Sequence, residues 1–418
     1  LVLGLSAQEE YTFDLSEIEK KAFQFGGYLE FRPILLGLDM DSGLYKLKFY
    51  DLEEGKTIAE YNFNALLDAR FEKGIFRAKI RTNTDISKSF SGWSHNTTLF
   101  EAFFSVKPSL SFHLDIGKKR MKWGKGYAWN PVAFIDRPKN PNDPELAMEG
   151  YVVLSMDYIK SFQGILKTIT FTPFLLPVNE HINSTFGKPN QLNFGGKIYF
   201  LIYDTDIDLL FLSGGSVPAR YGMDFSRNIT SNFEIHGEFA YIPDYSKKVF
   251  LKDDTVVADQ YASINYLLGI RFLTKSNTTF FFEYLKNGNG YNSYEMKNFY
   301  SLIDQAHQSY LLSGDDSQLN FLSGTASQAY RTFAPMQDYL YLRISQKEPW
   351  NILYFIPSFT SIFNLTDKSF SLTPEMLYSP ITNLELRAKM TILLGKDGSE
   401  FGEKQNDLRL EFRGRYYF

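Results

Sequence analysis

Cysteine is absent from the 418-residue chain, which removes disulfides, thiolate nucleophiles, zinc ribbons and covalently attached haem. Long apolar runs are absent as well. No stretch approaches the ~18 residues that a membrane-spanning helix needs, and mean hydropathy is −0.25. Charge is close to balance, with 44 basic and 48 acidic residues for a net −4. There is thus no basic stripe of the kind phosphate backbones require, and no nucleic-acid partner is expected. Histidine is scarce: His95, His113, His181, His236 and His307 fall on separate segments. No metal-ligand spacing, phosphate loop or dinucleotide fingerprint occurs, so neither a metal nor another cofactor is expected. Ser111, His113 and Asp115 share one parity, but a serine, base and carboxylate relay needs a second element to complete its geometry. They read as polar residues of one strand face, and no enzymatic site is expected.

Aromatic residues are plentiful, with 39 Phe, 27 Tyr and 4 Trp making 17% of the chain. They occur in segments of period two. At the end of the chain, Leu408, Leu410, Phe412, Gly414, Tyr416 and Phe418 share one parity, and Arg409, Glu411, Arg413 and Arg415 the other. This is the pattern of a strand with one apolar and one polar face. The same alternation predicts strands at 22–36, 59–72, 75–84, 97–106, 110–120, 150–159, 165–175, 192–203, 207–212, 219–228, 232–242, 261–273, 278–286, 338–346, 351–363, 370–378, 384–394 and 406–418. About 22 residues per strand and connection suits a tilted crossing of ~9–11 residues plus a loop. The expected fold is therefore all-β: a closed antiparallel transmembrane β-barrel of about eighteen strands. Sixteen is the alternative, because the connections 213–218 and 364–369 are short.

Connection lengths alternate. Gaps after even-numbered strands span five residues at most, whereas those after odd-numbered strands include 37–58, 121–149, 176–191, 243–260 and 287–337. Barrels with short periplasmic turns and long external loops show this asymmetry. Residues 1–7, LVLGLSA, read as the remnant of a secretory signal peptide and 8–21 as a short periplasmic leader, leaving 22–418 as the barrel. Within the longest loop, Met296, Phe299, Ile303, Ala306 and Tyr310 recur at helical spacing, which predicts a surface helix over the mouth.

A charge at the bilayer midplane costs ~2–4 kcal/mol on the lipid face and far less in a wet lumen. Tyr61, Phe63, Leu67 and Phe71 are thereby assigned outward and Asn62, Asn64, Asp68, Arg70 and Glu72 inward; likewise Leu386 faces out and Arg387 in. On this parity Arg387→Leu is expected to be milder for folding than an arginine at Leu386. A basic lumen wall is expected from Arg32, Arg70, Arg77, Lys79, Arg81, Arg387, Lys389, Arg409, Arg413 and Arg415. An acidic wall facing it is expected from Asp208, Asp224, Glu234, Glu238 and Glu283. Facing walls of opposite sign would set a transverse field across a narrow aqueous path; cross-strand pairing that merely fills the lumen is the plainer alternative.

The connection 121–149 contains Pro131, Pro138, Pro141 and Pro144 and is predicted to be neither strand nor helix. Trp123, Tyr127, Trp129, Asp136, Arg137, Lys139, Asp143 and Glu145 are its candidate constriction residues. By position it resembles the third loop of general porins, which folds inward and narrows the channel, and the terminal Phe418 resembles the aromatic ending of bacterial outer-membrane barrels. Arg120, Trp123, Gly124, Gly126, the Asn130-Pro131 pair and the Asp136-Arg137 pair are similar to a segment of large outer-membrane porin families, including alginate-export-like barrels. That likeness covers about thirty residues. It implies a water-filled channel for small polar or charged solutes in a Gram-negative outer membrane. The alternative is a closed barrel that anchors a surface polymer or protein. Expected partners are outer-membrane lipid, small polar solutes and either a further copy of the chain or a periplasmic or surface protein.

Overall fold

The structure is a computed structural model that describes residues 21–52, 55–251, 255–330 and 332–418. The expected signal remnant and nearly all of the leader lie outside these residues. Eighteen strands form in chain order: β1 (Phe23–Leu38), β2 (Thr57–Lys73), β3 (Phe76–Ser89), β4 (Gly92–Ser109), β5 (Phe112–Lys119), β6 (Tyr151–Ser161), β7 (Leu166–Val178), β8 (Gln191–Ile202), β9 (Thr205–Leu212), β10 (Arg220–Thr230), β11 (Phe233–Phe250), β12 (Val256–Leu273), β13 (Thr278–Asn287), β14 (Asp338–Gln346), β15 (Phe355–Asn364), β16 (Ser369–Ile381), β17 (Leu384–Leu394) and β18 (Asn406–Tyr417). Each pairs antiparallel with its sequence neighbours, and β1 pairs with β18, so one eighteen-stranded sheet closes on itself. Closure leaves no edge with unpaired backbone groups.

The seam depends on glycine. Gly27 donates to Phe418 O at 3.1 Å and Phe418 donates back at 3.2 Å, and a Cβ on Gly27 would collide with the Leu66 carbonyl. The apolar parity faces out as the cost argument requires: Phe63, Leu67, Phe71, Leu386, Phe412 and Phe418 are exposed, while Glu30, Arg387, Glu411 and Arg413 are buried inside.

Two expected long connections are short in the structure. β3 and β4 extend until only residues 90–91 separate them, and β11 and β12 until only 251–255 remain. The extensions pair with each other; those of β3 and β4 are largely exposed on both faces, so the alternation that marks a half-buried strand fades, and that of β11 carries a buried lysine, Lys247, on the face that the helices cover.

The longest connection folds into α2 (Ser293–Ser313) and α3 (Ser317–Ala329), after a shorter α1 (Gly43–Phe49) in the β1–β2 connection. The helix over 294–312 was legible; α1 and α3 were not. A capping box starts α2, with Asn292 accepting from the Tyr294 and Glu295 amides, and Gly314 at φ 73° ends it. Its Met296, Phe299, Leu302, Ile303 and Ala306 are buried against Leu47, Phe250 and Tyr330. This helix is therefore a packed lid with an apolar core of its own, tied to β11 by a buried Lys247–Glu295 ion pair at 2.8 Å. The Ser111, His113 and Asp115 residues do not form a relay. Asp115 is held by Ser105 and Lys119 as well as by His113 at 3.0 Å, and Ser111 lies in the β4–β5 turn.

Candidate functional site

The site is the barrel interior and the β5–β6 connection, residues 120–150, that enters it. Its fold follows from the motif noted above. Asp136 accepts from the Met121 amide at 3.1 Å and the Trp123 amide at 2.9 Å, with Arg120 Nε 3.9 Å away. This closes the segment into a compact lobe around buried Trp123, Val132, Phe134 and Ile135. Gly124 has φ 93°, and a Cβ there would lie 2.7 Å from Glu238 Oε1; only glycine allows the carboxylate so close to the backbone. Gly126 serves the same approach, since a Cβ on it would strike the Trp129 carbonyl.

The lobe is tied to the wall by buried carboxylates. Glu238 on β11 accepts from the amides of Lys125 (2.7 Å), Gly126 (2.6 Å) and Val132 (3.1 Å) and from Asn130 Nδ2 (2.8 Å). Glu283 on β13 accepts from the amides of Tyr127 and Ala128, the latter at 2.9 Å, and lies 2.9 Å from His236 Nε2. Lys125 Nζ reaches Asp208 at 2.9 Å and Asp224 at 3.8 Å. Burial alone would lower the Lys125 pKa, but these two carboxylates outweigh it and hold the amine above its ordinary value. Tyr127 stacks on Phe281 with ring centres 4.2 Å apart, and buried Trp129 packs on Tyr339 and Tyr341.

The far end of the loop crosses to the basic strands. Asp143 meets Arg387 on β17 at 3.0 Å and Arg413 on β18 at 3.5 Å, and Asn142 O accepts from Lys389 Nζ at 2.6 Å. Burial pushes the Asp143 carboxyl up, but Arg387, Arg413 and Lys389 outweigh it and hold it below its ordinary 3.8. A depressed pKa means that the clamp stays charged through neutral and mildly acid pH and is lost only as pH falls below that value. Conductance is accordingly expected to stay constant from about pH 7 to 5 and to rise only as pH falls through the lowered carboxyl pKa and the loop tip is released. Asp143→Asn should show the released level at neutral pH. An identical step at all these pH values would remove the clamp from the pathway.

The charged walls differ from the sequence expectation. The acidic residues Asp208, Asp224, Glu238 and Glu283 do point inward, but each is 3% exposed or less, because the loop covers them. They are anchors for a lobe, not a water-facing wall; Glu234, below the lobe and 4.0 Å from Arg271, is the more open one. The basic residues are answered by acids on the same wall. Arg70 (2.7 Å) and Arg81 pair with Asp68, Lys79 with Glu101, Arg77 with Glu72 (3.0 Å), Arg409 with Glu411 (2.8 Å), Arg413 with Glu385 (2.7 Å) and Arg415 with Glu30 (2.6 Å). Arg32 lies 3.8 Å from Glu30, and Arg387 shares Glu375 with Arg343. The transverse field between two bare walls is thus largely neutralised locally, as short-range pairing at low dielectric favours.

Glu101, Glu375 and Arg343 were missed. A bulge opposite Arg81 and Thr82 inserts Phe100 and flips the parity of β4, which hid Glu101. Glu375 lies on the inward parity of β16 with buried Ser371 and Thr373 and was legible there. Of the other loop candidates, Arg137 pairs with Glu149 at 3.0 Å, Lys139 Nζ donates to Gly126 O at 2.6 Å, and exposed Glu145 accepts from the Tyr127 hydroxyl at 3.4 Å. At the loop tip a cavity of about 310 Å³ is lined by Tyr127, Asp143, Glu145, Arg343, Arg387, Arg413 and Arg415.

A closed barrel with an apolar exterior, a charged interior and a loop folded across it has the build of an outer-membrane porin. Solved structures agree with that class. The chain is similar to Pseudomonas aeruginosa OccK2 (OpdF) in complex with glucuronate, at TM-score 0.54 and 8% identity over 95% of this chain and 98% of that one. It is similar to P. aeruginosa OccK5 (OpdH) at TM-score 0.52 and 12% identity over 94% and 98%, and to P. aeruginosa OprD at 0.50 and 11% over 96% and 97%. At such identities the likeness is one of fold, and the fold is that of Gram-negative outer-membrane channels. No family model matches the sequence, and no curated protein matches it significantly.

Proposed function

We propose that the chain is an outer-membrane channel for small polar or charged solutes, with residues 120–150 as its constriction. The observation that carries this reading is the tethering of one loop to two separate parts of the wall, at Glu238 and Glu283 and again at Arg387 and Arg413. Such a strap divides the lumen into an outer and an inner compartment and sets the narrowest passage. Solutes then meet the guanidinium groups of Arg343, Arg387, Arg413 and Arg415 beside the carboxylates of Asp143, Glu375 and Glu385, a surface suited to small solutes that bear charge or hydroxyls. The glucuronate held by the structurally similar channel is a solute of that kind.

Single-channel recording in planar bilayers tests the proposal: stable open steps are expected, and persistent silence would favour the closed, anchoring barrel. That second reading draws on the three-helix lid and the extensive internal ion pairing.

Selectivity is expected to rest on the more open cations. Arg70 and Arg77 keep 53% and 46% of their side chains exposed, and Arg32 26%. Neutralising all three should shift the reversal potential in a salt gradient toward cation permeability. The shift should shrink as screening shortens to ~3 Å near 1 M salt. An unchanged reversal potential at low salt would mean that the solute path avoids these side chains. Neutralising Glu238 and Glu283, in contrast, should act through the loop and change conductance more than ion preference.

A further inference from the structure

Between the inward loop and the lid lies a second cavity, about 650 Å³, lined among others by Trp129, Lys139, Arg220, Tyr245 and Lys247. Two buried donors on its lining have no partner: Arg220 Nε and Trp129 Nε1. No hydrogen bond or ion pair to Arg220 occurs among the described residues, although it stands at the start of β10 inside the barrel. The neighbouring cations are all engaged elsewhere. Lys247 pairs with Glu295, Arg137 pairs with Glu149, and Lys139 donates to the Gly126 and Tyr127 carbonyls. A buried guanidinium N–H and a buried indole N–H each cost free energy unless an acceptor is supplied. This wall supplies none, so the cavity offers two unpartnered donors, one of them on a cation.

We propose that this outer cavity is a binding site for a small hydroxylated monocarboxylate, whose carboxylate pairs with the Arg220 guanidinium and whose hydroxyl or ether oxygen accepts from the Trp129 indole. An indole donor and aromatic faces beside the guanidinium favour a carboxylate on a carbon skeleton over inorganic phosphate. Neighbouring aromatic rings, Phe134, Tyr151 and Tyr245, supply apolar faces for the carbon skeleton. The site shares no lining residue with the arginine cluster at the loop tip. As a staging site for permeation it rests on the channel reading; as a binding site it stands without it.

Titration calorimetry on the full chain refolded in detergent tests the site, with gluconate as probe, sorbitol as its uncharged counterpart and inorganic phosphate as the dianionic competitor. Gluconate should bind at least about tenfold more tightly than sorbitol, the margin expected of one buried charge-assisted hydrogen bond, and more tightly than phosphate, which has no carbon skeleton for the aromatic faces. Arg220→Gln should lose about that factor, Arg220→Lys should keep a preference for gluconate over sorbitol, and Trp129→Phe should weaken gluconate several-fold while keeping that preference. Gluconate binding that is absent in the unmodified chain, unchanged in Arg220→Gln, or matched by phosphate overturns the assignment. Should Arg220→Gln fail to fold, Trp129→Phe carries the test, and wild-type affinity there overturns it. Single-channel recording separates the two readings. Gluconate binding without current would sink the channel and leave the site, whereas current with binding independent of Arg220 would sink the site and leave the channel.

Discussion

Replacing Glu238 by alanine is expected to release the inward loop and raise single-channel conductance several-fold. This carboxylate alone accepts from three loop amides and from Asn130 Nδ2. Each charged hydrogen bond of this kind contributes ~1.5–3 kcal/mol, and donors left buried without an acceptor cost ~1–3 kcal/mol each. The lobe cannot stay docked at that cost, so it will leave the wall and take its donors to water. Deleting residues 125–146 should produce a larger change in the same direction and weaken discrimination between solutes. Barrel closure should survive both changes, because the β1–β18 seam and the strand ladders do not involve the loop. Heat-modified migration in gels verifies folding, and planar-bilayer recording reads the conductance. Wild-type conductance in a folded deletion variant would show that the strap does not bound the aqueous path.

Adjacent residues on β17 should both be intolerant, for opposite reasons. Leu386 is 43% exposed on the outer face, and arginine there should cost ~2–4 kcal/mol of folding free energy in bilayers, according to depth. Arg387 is 7% exposed and sits between Asp143 and Glu375. Its replacement by leucine leaves Asp143 and Glu375 with one arginine each, Arg413 and Arg343, where each had two, and breaking a buried pair costs up to ~3–5 kcal/mol. The milder outcome expected from parity alone is therefore corrected by the contacts. Urea unfolding in vesicles measures both. Combining Arg387→Leu with Asp143→Asn should recover part of the loss, because Glu375 keeps Arg343 and Arg413 keeps Glu385 as partners, so no charge is then left alone. Failure of that rescue would mean that Arg387 acts through packing, and tolerance of Leu386→Arg would remove this face from the bilayer.

Most of the barrel was legible because lipid and water impose a period of two wherever a strand separates them. The expected segments 338–346 and 384–394 coincide with β14 and β17, and the C-terminal alternation places Arg413 inside and Phe412 outside. The pattern failed where the two faces of a strand meet the same medium. The ends of β3 and β4 are largely exposed on both faces, whereas that of β11 carries a buried lysine on its covered face, and there only strand pairing shows that the chain is extended. At Phe100 the bulge breaks the period itself. Helix α1 is seven residues long, too short for a 3.6-residue repeat to declare itself, and gains its order from packing against the lid.

By itself the sequence determined the class of fold, the strand number to within two, the parity that meets lipid and the presence of one proline-rich, aromatic loop of mixed charge. These are consequences of local pattern, since each strand must satisfy its own two environments. Which inward charges meet water was decided only by tertiary structure. Parity places Glu238, Glu283 and Arg387 inside equally well, but whether such a group lines a path or is buried depends on a loop more than a hundred residues away in the chain for all three. The orphaned donors of Arg220 and Trp129 are of the same kind. Nothing in a one-dimensional pattern says that a charged residue has no partner, because partnership is a property of the closed lumen, where strands remote in sequence supply or withhold the opposing group.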